Sequence, residues 1–147
     1  MIRVLFLIFI NLFIHSELIL EITESGNKQV KIAILQKNDS TFVGQQIVNI
    51  ISNDLKRTGE FDILSSDQLL SIPKNESEVI QRDWLMLDVD SIVFVETKEN
   101  GGSLDISYSI FNISYNETQE KRRVLGLPEG IRQSSHYVSD GIYEFFF

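Results

Sequence analysis

Apolar and polar positions follow two periods along this chain, and the switches between them mark its elements. Residues 17–23 (ELILEIT) put Leu18, Leu20 and Ile22 at every second position, the period of a strand with one buried face. Residues 24–27 (ESGN) read as a turn. Residues 30–35 alternate again and lead into a loop over 36–40. From 42 to 58 the period changes. Ile47, Ile50, Ile51 and Leu55 recur at steps of three and four, as on one helix face. Ser40 or Thr41 stands where an N-cap belongs, and Gly59 where a C-cap belongs.

Residues 61–64 predict a short buried strand. Residues 65–71 predict a helix of one or two turns with Ser66 as its cap, ended by Pro73 and Asn75. Residues 76–87, carrying Val79, Trp84 and Leu87, predict a second helical stretch. Residues 88–90 form a turn into 91–97 (SIVFVET), whose continuous apolar centre suits a central strand. Asn100-Gly101-Gly102 predicts a hairpin turn. Residues 104–114 alternate, with Leu104, Ile106, Tyr108, Ile110 and Asn112 on one face. Residues 119–125 predict a further strand, and 131–145 a C-terminal helix. The order β–β–α–β–α–α–β–β–β–α predicts a mixed α+β (α/β) domain, one mixed β-sheet with helices packed on it.

The two ends stand apart from this pattern. Arg3 precedes an apolar run over 4–14 (VLFLIFINLFI), broken only by Asn11 and followed by His15 and Ser16. This is the layout of a signal peptide, and it is too short for the ~20 residues a spanning helix needs. The expectation is a signal peptide over 1–16, cut after Ser16, and an exported domain over 17–147. An uncleaved anchor and a buried core helix are the other readings. At the far end a helix in progress runs into Phe145-Phe146-Phe147. An exposed three-Phe terminus lacks a cap and a packing partner, so the expectation is a chain truncated or frame-shifted near Glu144. The alternative is that these rings plug the core.

Composition narrows the function. The chain has 147 residues, 43% hydrophobic and 23% charged, one domain of ordinary globular mixture. With 13 Lys and Arg against 21 Asp and Glu, its net charge is −8, a poor fit to nucleic acid. No cysteine is present, which excludes disulfides, thiolate nucleophiles and cysteine-ligated metals.

No constellation carries chemistry. His136 has neighbours Ser134, Ser135 and Asp140, which helical spacing brings near it without catalysis, so it reads as a solvated or core histidine. Asp88 and Asp90 flank Val89 without a calcium loop after them. The carboxylate pairs Glu21 and Glu24, or Asp62 and Asp67, are of a kind any acidic chain offers. Gly101-Gly102 lacks the Lys and helix of a phosphate loop. Asn38, Asn75, Asn112 and Asn116 match a glycosylation pattern and read as surface polar positions. Trp84 reads as a core anchor, with a binding hot spot as the lesser reading. The segment Glu17, Leu18, Ile19, Leu20, Glu21, Ile22 and Thr23 has two readings: a plain first strand, or an arm that adds to a partner's sheet edge.

In order, these pieces resemble the amino-terminal domain of the TolB family, periplasmic proteins of the Tol-Pal system. The carrying residues are ELILEIT, KIAIL, IVNIISNDLKRTGEFDIL over 47–64, RDWLMLDVDSIVFVET over 82–97, ENGGSLDISYSIFN over 99–112, and HYVSDGIYE over 136–144. DLKRTGEFDIL is the most specific, a helix end, a Gly and a Phe leading into a strand. The resemblance implies a non-enzymatic, cofactor-free envelope scaffold that supports outer-membrane integrity and constriction during division. It implies export to the periplasm and binding of a TolA-like partner through the arm, with neither nucleic acid nor small-molecule substrate. It also implies a Pal-like partner, through a β-propeller that this sequence does not contain. The alternative is a stand-alone envelope module resembling outer-membrane secretion or cell-wall-synthase activator domains.

Overall fold

A computed structural model describes residues 28–38 and 40–147. The expected signal peptide, the arm 17–23 and the turn 24–27 lie outside the described residues. Five strands and three α-helices follow in order: β1 (Val30–Gln36), α1 (Phe42–Thr58), β2 (Phe61–Ile63), α2 (Gln81–Met86), β3 (Ser91–Asn100), β4 (Ser103–Asn112), β5 (Glu117–Gly126) and α3 (Ile131–Phe146). The strands form one sheet in the order β2-β1-β3-β4-β5. β1 runs parallel to both neighbours, while β3, β4 and β5 are antiparallel. The expected mixed sheet with packed helices is what the chain builds.

Local chemistry sets the boundaries. Thr41 is the N-cap of α1: its hydroxyl accepts from the Gly44 N–H at 3.0 Å. Gly59 ends that helix in the left-handed region at φ 77°, where a side chain would be strained. In the β3–β4 hairpin Asn100 pairs with Ser103, and Gly101 and Gly102 both have positive φ. A two-residue loop of this type matches the right-handed strand twist.

Both faces of the sheet are covered over its centre. α1 and α3 close one face, packing Ile47, Ile51, Val138 and Ile142 on Ile34, Val93 and Ile106. The segment 64–89 closes the other, seating Trp84, Leu64 and Val89 on Ala33, Phe94 and Phe111. Burial on both sides explains why β3 reads as a continuous apolar run, and why Ala33 and Leu35 of β1 are apolar as well as Ile32 and Ile34.

Three stretches differ from the sequence reading. The helix expected over 65–71 is a single 3-10 turn, Ser66–Gln68, and Ser65 is the residue before it. The Gln68 side chain accepts from the Ser65 N–H at 3.0 Å. The helix expected over 76–87 is broken into a 3-10 turn, Glu76–Glu78, and the six-residue α2, with Val79 and Ile80 extended between them. Tertiary bonds hold that break. The Glu76 carboxylate is drawn to Lys37 and Ser109, and Gln81 Nε2 donates to the Ile113 and Ser114 carbonyls at 2.6 and 3.1 Å. The terminal Phe residues, expected to lack a packing partner, have one. The Phe146 and Phe147 rings each lie 5.6 Å from the Phe61 ring, edge to face, and Phe145 and Phe146 pack against the core.

Candidate functional site

The described chain begins beside the start of β2: Gln29 Nε2 donates to the Gly59 carbonyl at 2.8 Å, and the Val30 N–H donates to the Glu60 carbonyl at 2.9 Å. β1 has β2 on one side and β3 on the other, so among the described residues the sheet's outer strands are β2 and β5.

His136 finds its partner far away in sequence. Its Nδ1 stands 2.5 Å from Asp54 Oδ2, joining α3 to α1. A carboxylate only accepts, so Nδ1 carries the hydrogen. The Ser139 hydroxyl lies 3.1 Å from the same Asp54 oxygen and 3.0 Å from the Ser135 carbonyl, and Arg57 reaches the other Asp54 oxygen. Burial pushes the Asp54 carboxyl up, but the bonds from His136, Ser139 and Arg57 outweigh it and hold the group below its ordinary value. In a nucleophilic triad the imidazole stands between serine and acid. Here serine and imidazole both face the acid, so the imidazole does not stand between them as a triad requires. The cluster is an interhelical clamp. The sequence neighbours of His136 are not its partners: Ser135 donates to the Ile131 carbonyl at 2.7 Å, within its own helix.

Two further acidic residues serve the fold. Lys37 Nζ lies 2.8 and 2.7 Å from the two Glu76 carboxylate oxygens, and the Ser109 hydroxyl donates to one of them at 2.6 Å. Burial raises the Glu76 carboxyl, and these bonds bring it below its ordinary value. Asp90 clamps β1: Oδ2 accepts from the Lys31 N–H at 2.7 Å, and its own N–H donates to the Lys31 carbonyl at 2.8 Å. Asp88, at φ 55°, faces Lys28 at 3.4 Å. Asp62 faces Lys31 at 4.0 Å. Among the described residues no cluster of three His, Asp or Glu could hold a metal ion. Trp84 is 1% exposed, so it is a core anchor and offers a partner nothing.

A concavity of about 520 Å³ opens between the start of α1 and residues 72–74. Ile34, Val48 and Ile72 give it apolar walls, and Gln36, Gln45 and Lys74 its polar groups. It lies at the carboxyl ends of β1 and β2, where the chain order reverses across β1, a place where α/β sheets hold ligands. Its amides and single lysine suit binding and supply no acid–base pair. No described helix is long and apolar enough to cross a membrane.

Residues 18–119 match the sequence model of the TolB amino-terminal domain. This chain belongs to the TolB amino-terminal domain family. The match starts at Leu18, so it includes all of the arm but Glu17. Among curated relatives, the Tol-Pal system protein TolB of Pseudomonas entomophila is 27% identical over 125 residues, 84% of this chain and 29% of the relative. The TolB of Alcanivorax borkumensis is 27% identical over 131 residues, 88% of this chain and 30% of the relative. This TolB-family chain therefore spans under a third of the length of these relatives. The crystal structure of TolB from Acinetobacter baumannii superposes with a TM-score of 0.64 at 25% identity, covering 80% of this chain and 28% of that one. The LpoB C-terminal domain from Salmonella enterica has a TM-score of 0.53 at 10% identity, covering 67% of this chain and 82% of that one, a likeness of fold alone.

Proposed function

We propose that this TolB-family domain is a non-enzymatic interaction module of a Tol-Pal envelope system. It works in the periplasm after removal of residues 1–16, in support of outer-membrane integrity and constriction during division. Its binding element is the arm 17–23, which pairs with a TolA-like partner. Leu18, Leu20 and Ile22 form the buried side of that pairing, and Glu17, Glu21 and Glu24 set its charge. A Pal-like partner belongs to a propeller and is outside the reach of this domain.

One observation carries the reading. The family match takes in the arm from Leu18 onward, and 17–23 alternates apolar and polar residues as a strand that adds to a sheet edge does. The test is deletion of 17–23, followed by titration with the TolA-like protein of the same cell. Binding is expected to vanish while far-ultraviolet circular dichroism barely changes. Binding that survives the deletion refutes the arm. N-terminal sequencing of the protein recovered from the periplasm should begin at Glu17.

A further inference from the structure

The sheet ends in two unlike edges. β2 closes one side with three residues, Phe61–Ile63, flanked by Glu60 and carrying Asp62. β5 closes the other with ten, Glu117–Gly126, and pairs only with β4 among the described residues. A long open edge is a row of unpaired N–H and C=O groups, a template for another strand.

β5 also carries the charge and apolar features of a docking edge. Lys121, Arg122 and Arg123 follow one another on a chain whose net charge is −8. Arg123 forms a bidentate pair with Asp105 at 2.7 and 2.5 Å, and Arg122 lies 3.7 Å from Glu120 and 3.4 Å from Glu144. Lys121 has no ion-pair partner among the described residues. Past this stretch, Leu125, Leu127 and Tyr137 are 67%, 58% and 56% exposed. They line a cavity of about 360 Å³ between the end of β5 and the start of α3. Ser134 Oγ lies only 2.2 Å from where a Cβ on Gly126 would be, so α3 is seated directly on the strand backbone there.

We propose that β5 docks an extended, acidic segment of a partner protein as a sixth strand, with one apolar side chain seated among Leu125, Leu127 and Tyr137. The added backbone supplies hydrogen bonds, the cavity selects a side chain, and the basic stretch selects the charge. An acidic occupant is favoured by Lys121, the basic side chain of this edge left without an ion pair among the described residues, and dilution separates it from a second copy of this chain. This site is separate from the arm assigned above, so either can fail without the other.

The test is a nitrogen-15 chemical-shift titration of the full chain with the peptide (Val-Glu)4. Two controls accompany it: (Val-Lys)4, and (Val-Glu)4 methylated on alternate backbone nitrogens. Shifts are expected along β5 and at Gly130 and Tyr137, with neither control binding. Lys121→Glu should leave the unbound spectrum in place and weaken the peptide about fivefold. Absence of saturable shifts at about 1 mM peptide overturns the proposal, as do shifts centred on β2 or on the groove at 72–74. Equal binding by the methylated peptide overturns strand addition. Protection of β5 amides that is lost on deleting 17–23, or on dilution, assigns the edge to the arm or to a second copy instead.

Discussion

His136 Nδ1 and Asp54 Oδ2, 82 residues apart in sequence, meet at 2.5 Å between α3 and α1. With Ser139 and Arg57 on the same carboxylate, Asp54 gathers donors from both helices. Asp54→Asn keeps the shape and removes the charge. It is expected to cost about 2 kcal/mol, the scale of hydrogen bonds to a charged group, read as a lower denaturant midpoint.

The same clamp has a signed pH dependence. The Asp54 carboxyl titrates below its ordinary 3.8 in the folded state. Its contribution is therefore complete above the unfolded value and is lost as the pH falls through the folded one. Glu76 behaves alike, below its ordinary 4.5. Acid titration of stability should fall across the region below 4.5, and the fall should be shallower in Asp54→Asn and in Glu76→Gln. Unchanged steepness in both variants would refute the assignment.

Trp84 separates packing from polarity. It is buried, and its Nε1–H has no hydrogen-bond partner among the described residues. Trp84→Ala opens a cavity under the sheet and should cost about 4 kcal/mol. Trp84→Phe keeps much of the apolar contact and removes the unpaired donor, so about 1 kcal/mol is expected. Equilibrium unfolding of the two variants checks the ranking, and comparable losses would contradict it.

Gly141 lets α3 lie close on the sheet. A Cβ there would stand 2.2 Å from the Tyr108 hydroxyl, on a side chain 3% exposed. Gly141→Ala should destabilise the domain by about 1–3 kcal/mol by overpacking, although alanine favours helices by about 1 kcal/mol. Tyr108→Phe in the same chain removes the clashing oxygen and should recover part of the loss. Thermal melts of the single and double variants measure that coupling.

Most elements were legible because short-range chemistry decides them. The Thr41 cap, the Gly59 stop, the Gly101-Gly102 turn and the period of α1 all act within a few residues. The stretch 65–87 was misread for the opposite reason. Its apolar residues serve as a cover for the sheet, and Glu76 and Gln81 are held by Lys37, Ser109 and Ile113 across the fold. The Asp54–His136 clamp left no trace in spacing, since neither residue stands out locally. Lys121-Arg122-Arg123 is too short a basic stretch to stand out in a chain of net charge −8, and only the strand order places it on an outer strand.

The mixed α+β class and the family were legible along the chain, because periods, caps and residue types are local properties. The tertiary structure alone decided which strands are outermost, which acids are clamps and what the final Phe residues touch. Those facts follow from strand order and helix docking, where contact is set by distance in space and not by separation along the chain.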